Sequence, residues 1–299
     1  MSDKIAHGIW PALCTAFDDT GEEIDAERVR HLVRHLLDTG INGFFLCGST
    51  GEGAFLTVPE RKQMAAVVAD EVAGAVPLIL QVGATSTENA VELARHAAAF
   101  KSIDAVASVA PVDQPNDLDA AVAHYAAIGA ATDLPFYVYW LATTADKRVT
   151  ADQFLEAMKA VPNFAGVKFT DTNLYLFQQL VAVSRSEINA ISGPDEMCVA
   201  AMVMGSDAAI GSTYNIMPGI FLGMRRAFEL GDVQAAMGAQ VKANRVISYM
   251  ISIGVLPAIK VILGWRGVPV GPPRAFDPLT PEATQHLRDF VDSLDYEIA

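Results

Sequence analysis

A chain of 299 residues, 52% hydrophobic and 19% charged, has the composition of a soluble globular protein and is long enough for one large core or two smaller ones. No run of about 18 uncharged apolar residues could span a membrane, and Met1–Leu13 lacks the basic and apolar regions of a secretory signal, so a cytoplasmic location is expected. A net charge of −14 argues against nucleic acid, which needs clustered Lys and Arg facing phosphate, and leaves a small molecule as the expected partner.

The first strand is expected over Ile9–Thr15. A helix follows from Asp25, a side chain suited to capping, and carries the stripe Val29, Leu32, Val33, Leu36 and Leu37 at helical spacing until Gly40 ends it. Further strands are expected over Gly43–Cys47, Pro77–Val82, Ala105–Ala110, Pro135–Trp140, Ala165–Phe169, Ile188–Ile191 and Ala208–Gly211. Helical segments lie between them, two opening on Thr57 with Glu60 and on Thr150 with Gln153, the spacing of a capping box. Strands apolar on both faces, alternating with helices, imply a parallel sheet covered by helices. The predicted fold is therefore α/β, a (β/α)8 TIM barrel over residues 1–217, with a C-terminal helical extension over 218–299 packed on it. A doubly wound open sheet is the alternative, but no GxGxxG follows the first strand.

In such a barrel the chemistry belongs at the C-terminal ends of the strands. Lys168 stands there in the apolar run Phe164–Thr170, one of eight lysines, with Lys101 as the nearest competitor. An amine in an apolar site has its charged form disfavoured and becomes a nucleophile toward carbonyl carbon, although a strand-end lysine can also snorkel into solvent. Tyr139 on the fifth strand would set a phenol beside it for proton transfer. Tyr137 shares its face, so alternation does not choose between the two. Ser49 and Thr50, between glycines, offer hydroxyls and backbone N–H groups to a carboxylate, though an ordinary βα turn has the same composition. Thr170, Gly193, Asp195, Glu196 and Ser212 complete the predicted rim. Asp195 and Glu196 have the rival task of capping a helix. His31 and His35 sit at i, i+4 without an HExxH pattern and read as solvent-facing, not as a metal pair. Cys14, Cys47 and Cys198 lack CxxC spacing and read as core thiols.

With Gly48-Ser49-Thr50-Gly51-Glu52, Tyr139 and Gly166-Val167-Lys168-Phe169-Thr170 in hand, essentially the whole chain resembles the pyruvate-dependent class I aldolases of the dihydrodipicolinate synthase and N-acetylneuraminate lyase family. Gly193-Pro194-Asp195-Glu196, Gly211 to Pro218 and Val268 to Arg274 are similar to stretches of the lyase branch. There the residues matching Asp195, Glu196 and Ser212 bind the hydroxylated tail of a sugar acid. The resemblance implies cleavage of a 2-keto-3-deoxy sugar acid, N-acetylneuraminate foremost, through an imine on Lys168, with Tyr139 as acid–base group and Ser49 and Thr50 on the carboxylate. It implies no metal or diffusible cofactor, keto-acid substrates such as pyruvate and a sugar acid, and a homotetramer. The synthase branch's arginine is replaced by Thr144, which counts against that activity. A dihydrodipicolinate synthase, a ketodeoxygluconate-type aldolase, a dehydratase and a non-catalytic keto-acid binder are the other readings. The family's tyrosine pair after strand four, part of a relay across the subunit boundary, is replaced by Val112-Asp113, and Trp140 to Asp146 departs from its usual proline-bearing pattern.

Overall fold

In the computed structural model, which describes residues 4–185 and 187–298, the eight parallel strands form one sheet ordered β1-β8-β7-β6-β5-β4-β3-β2. They are β1 (Gly8–Pro11), β2 (Phe44–Leu46), β3 (Leu78–Gln81), β4 (Ala105–Ser108), β5 (Phe136–Leu141), β6 (Phe164–Thr170), β7 (Asn189–Ser192) and β8 (Ala208–Gly211). The ring is completed between β1 and β2 by a parallel bridge from Ala12 to Phe45, with Leu13 N–H donating to the Phe45 carbonyl at 3.0 Å. The first strand is shorter than the expected Ile9–Thr15: Ala12 N–H still donates to the Gly211 carbonyl at 2.9 Å, but beyond Leu13 the chain takes other partners, Cys14 N–H donating to Asn215 Oδ1 and the Thr15 hydroxyl to the Gly51 carbonyl.

The helices α1 (Ala26–Leu37), α2 (Val58–Val72), α3 (Thr87–Ala97), α4 (Leu118–Gly129), α5 (Ala151–Met158), α6 (Leu174–Val183), α7 (Cys198–Val203) and α8 (Pro218–Glu229) follow the strands in turn. Their starts match the capping chemistry: Asp25 accepts from Glu27 and Arg28 N–H at 3.0 Å each, and Thr57 with Glu60 and Thr150 with Gln153 form full capping boxes. On α1 the stripe buries Val29, Leu32, Val33 and Leu36 against the sheet. By its place after β8, α8 is the eighth helix of the alternation, although the sequence division at 217/218 puts it with the extension. Three helices follow it: α9 (Val233–Ile253), α10 (Val255–Trp265) and α11 (Pro281–Asp292). Gly254, at φ +106, breaks α9 from α10 with a bend of 114°, and among the described residues no single helix is long and apolar enough to cross a membrane.

Apolar residues form an outer core between strands and helices and an inner one within the barrel, where Trp10, Phe45, Ile79, Tyr137, Ile191 and Ile210 pack. One irregularity decides what faces inward. Between β5 and β6 the register runs Phe136 to Phe164 and then Tyr137 to Gly166, so Ala165 is an extra residue. Because side chains alternate with a period of two, this bulge brings Tyr139 into register with Lys168 on the interior face. Gly166 is required there: a Cβ would stand 2.8 Å from the Tyr137 ring and 2.2 Å from the Asn189 carbonyl oxygen.

Candidate active site

Lys168 lies near the C-terminal end of β6, 4% exposed. Its Nζ donates to Thr170 Oγ1 at 3.1 Å and stands 3.7 Å from the Tyr139 ring centroid and 5.0 Å from that of Phe45. Among the described residues it forms no ion pair. The ammonium is therefore held by one hydroxyl and two aromatic faces, an environment that keeps water out without neutralising the charge.

The two tyrosines lie at different depths. Tyr137 reaches the other way, its hydroxyl donating to Asn189 Oδ1 at 2.9 Å, and burial pushes that phenol above its ordinary value. Asn189 also binds the Ala6 carbonyl and Asp207, so Tyr137 belongs to a polar plug at the N-terminal end of the barrel. Tyr139 is the one at the mouth, its hydroxyl 3.3 Å from Ser49 Oγ. Burial works against a phenolate there, but the Lys168 charge and the hydroxyls of Ser49 and Thr170 outweigh it, and the phenol titrates below its ordinary value.

Thr50 reaches across the mouth to Ser212, with 2.8 Å between the two hydroxyl oxygens. Ser49 and Thr50 thus join the β2 loop to β5 and to the β8 loop. Gly193 stands so close to Thr170 that a Cβ would fall 1.9 Å from its hydroxyl oxygen. Only glycine leaves Thr170 free beside Lys168.

A cavity of about 440 Å³ is lined by Thr170, Gly193, Asp195, Glu196 and Ser212 among others, whereas Lys168, Tyr139, Ser49 and Thr50 do not line it. Glu196 is exposed, and neither acid caps a helix through its side chain. Asp195 is buried: its Oδ2 accepts from the Thr213 N–H at 2.8 Å and from the Thr213 hydroxyl at 2.6 Å. Burial pushes its carboxyl up to about 6, against the Thr213 hydrogen bonds that favour the anion. Asp195 thus braces the β8 loop that carries Ser212 as well as facing the cavity.

Other lining residues were not foreseen. Lys147 comes from the β5–α5 loop, and Ile247, Ile251 and Val255 come from α9 and α10, so the extension forms one wall of the cavity. No local signal marks these aliphatics, which read as ordinary helix-face residues. Glu52 was visible in the glycine-flanked loop but assigned no task; it is 1% exposed and paired with Lys260 at 2.8 Å. Thr144 is buried with its hydroxyl on the Leu141 carbonyl, Trp140 stacks on Phe169 with its Nε1 donating to Asp171 at 3.4 Å, and Val112 and Asp113 are exposed after β4. His31 is exposed and His35 half-buried on α1, and among the described residues no three His, Cys, Asp or Glu side chains are grouped to hold a metal. All three cysteines are free and buried, and burial pushes the Cys14 and Cys198 thiols up to about 12.

The model of the dihydrodipicolinate synthetase family matches residues 5–296. An N-acetylneuraminate lyase of Citrobacter koseri is 34% identical over 285 residues, covering 95% of this chain and 94% of its own. The structure of a Proteus mirabilis N-acetylneuraminate lyase superposes with a TM-score of 0.90 at 28% identity, over 98% of this chain and 100% of the other. A catalytic-lysine mutant of a Ruminococcus gnavus sialic acid aldolase superposes with a TM-score of 0.87 at 28% identity, over 95% and 96% of the two chains.

Proposed function

The chain belongs to the dihydrodipicolinate synthetase family, and from that premise we propose that it is a class I carbon–carbon lyase that splits a 2-keto-3-deoxy sugar acid, N-acetylneuraminate foremost, into pyruvate and an aldose. The observation that carries this reading is Lys168: buried at the end of β6, without an ion pair among the described residues, and in register with Tyr139. An amine so placed attacks the C2 ketone of the substrate, and loss of water leaves an iminium. Tyr139 takes the proton of the C4 hydroxyl as the C3–C4 bond breaks. The electron pair of that bond passes into the enamine, and the aldose departs. Protonation at C3 and hydrolysis of the imine then release pyruvate and return the free amine.

Ser49 and Thr50 are assigned to the substrate carboxylate, which two hydroxyls and the loop's N–H groups suit. Thr170 is assigned to the reacting end of the substrate beside Lys168. Gly193, Asp195, Glu196 and Ser212 are assigned to the polyhydroxylated tail, since carboxylates accept hydrogen bonds from adjacent hydroxyls. The reaction so written needs no metal or diffusible cofactor. Thr144, where the synthase branch has arginine, favours the lyase over a synthase. A cytoplasmic homotetramer completes the reading.

Trapping decides it. Incubation with pyruvate and borohydride, followed by peptide mass mapping, should label Lys168, and a panel of keto acids scored by pyruvate release should single out a sugar acid. No label on an otherwise folded chain would leave a non-catalytic binder. Release confined to short keto acids would move the assignment to another aldolase of the same family.

A further inference from the structure

The Ser49–Thr50 loop is held in a conformation that its own residues do not favour. Cys47 and Glu52, which flank it, both have φ +54, the left-handed region that non-glycine residues seldom occupy. Such backbone persists only where the surroundings over-determine it. Around Glu52 they do so: its Oε2 accepts from the Arg274 and Ala275 N–H groups at 2.6 Å each, and its Oε1 lies 2.8 Å from Lys260 Nζ.

Lys260 is anchored in turn. Its ammonium donates to the Thr15 carbonyl at 3.0 Å and to the Pro272 carbonyl at 3.2 Å, and it sits over the Phe17 ring at 4.4 Å. The Thr15 hydroxyl donates to the Gly51 carbonyl at 2.7 Å. The loop is therefore grasped at two consecutive residues, Gly51 through Thr15 and Glu52 directly, and both links run to the one ammonium on α10. Thr50, next in line, is the residue that bridges to Ser212. The pair is buried away from the mouth cavity and touches no part of it.

We infer that the Lys260–Glu52 ion pair is a positioning device that sets the Ser49–Thr50 hydroxyls and loop amides for the carboxylate of the keto acid. The inference rests on the reading of this loop as the carboxylate site and of Lys168 as the imine former. It gives the C-terminal extension a part in recognising the invariant end of every substrate, while Ile247, Ile251 and Val255 of the same extension face the variable end.

The test compares two carbonyl compounds on the intact chain. The pyruvate concentration for half-maximal borohydride trapping on Lys168 is measured, with acetone, a ketone lacking the carboxylate, as the reference. In Glu52→Gln/Lys260→Met, which removes both charges and strands neither, the pyruvate requirement should rise by about tenfold or more while trapping with acetone stays unchanged. Equal pyruvate dependence in variant and wild type overturns the inference. So does a parallel fall with acetone, which marks general damage to the mouth. Thermal melting checks the fold; if the double variant does not fold, Glu52→Asp keeps the charge but shortens its reach to Lys260 and should raise the pyruvate requirement about threefold, no change overturning the inference. A wild-type chain that fails to trap pyruvate overturns the underlying reading first, and is seen before any variant is made.

Discussion

Lys168 and Lys260 are equally buried, each 4% exposed, yet among the described residues only Lys260 has a carboxylate beside it. Lys260 has a carboxylate oxygen at 2.8 Å and donates to two carbonyl oxygens. Lys168 has one hydroxyl and two ring faces. At Lys260 burial outweighs even the Glu52 carboxylate, so that amine titrates below its ordinary value. The two lysines thus differ in their partners and not in their burial.

The sharpest break of this comparison is removal of each amine. Lys168→Ala should lower turnover by about 10⁴-fold or more, since the covalent route is lost, yet urea unfolding should give a stability within about 1 kcal/mol of wild type, because no ion pair is broken. Tyr139→Phe keeps the ring beside Lys168 and removes the hydroxyl proposed to carry the proton. Turnover should fall by about 10²- to 10⁴-fold, with pyruvate trapping on Lys168 changed far less. Turnover within a few-fold of wild type would shift the proton transfer to another group, Asp113 being the next to mutate.

Lys260→Met should do the reverse of Lys168→Ala in the unfolding experiment. It strands the Glu52 carboxylate and should cost about 3–5 kcal/mol of stability. Equal unfolding midpoints for the two lysine variants would remove the distinction drawn between them.

The two acids of the β7 loop extend the comparison to carboxylates. Glu196 is exposed and makes no side-chain cap, so Glu196→Gln should leave the melting temperature unchanged. It should lower kcat/KM for long polyhydroxylated acids by about ten- to hundredfold, the loss of one charge-assisted hydrogen bond, and spare trapping with pyruvate. Asp195 is buried, and its carboxyl, raised from 3.8 to about 6 first by burial, binds its proton more tightly in the folded chain. The stabilisation this brings is full below pH 3.8 and is lost as pH rises through about 6. Asp195→Asn, neutral throughout, should melt higher relative to wild type at pH 7 than at pH 4, by about 2–4 °C. Parallel melting curves across that range would mean that Asp195 is as well solvated as Glu196.

Much of this was legible in the chain. Caps at Asp25, Thr57 and Thr150 and the eight apolar runs are local signals, set by hydrogen-bonding side chains and by periodicity, and each recurs in the structure within a few residues. Lys168, Ser49, Thr50 and Ser212 were nameable because chemistry at the strand ends follows from the barrel once the strands are counted, whereas Tyr139 over Tyr137, and the task of each residue, came from the family resemblance. The choice of Lys168 over other lysines was less secure than its apolar run suggested, since Lys260 sits in the equally apolar stretch Leu256–Leu263.

By itself, then, the sequence determined which segments become strand or helix, the order in which they alternate, and which reactive side chains reach one end of the barrel. These are consequences of short-range sterics and of an apolar pattern readable within a dozen residues. The tertiary structure alone decided that the bulge at Ala165 sets Tyr139 against Lys168, that Tyr137 turns instead to Asn189, that Asp195 grips Thr213, and that Lys260 closes on Glu52 from 208 positions away. Each of these depends on register or on contacts distant in sequence, where the partner of a charge is chosen by the packing of the whole barrel and not by its neighbours in the chain.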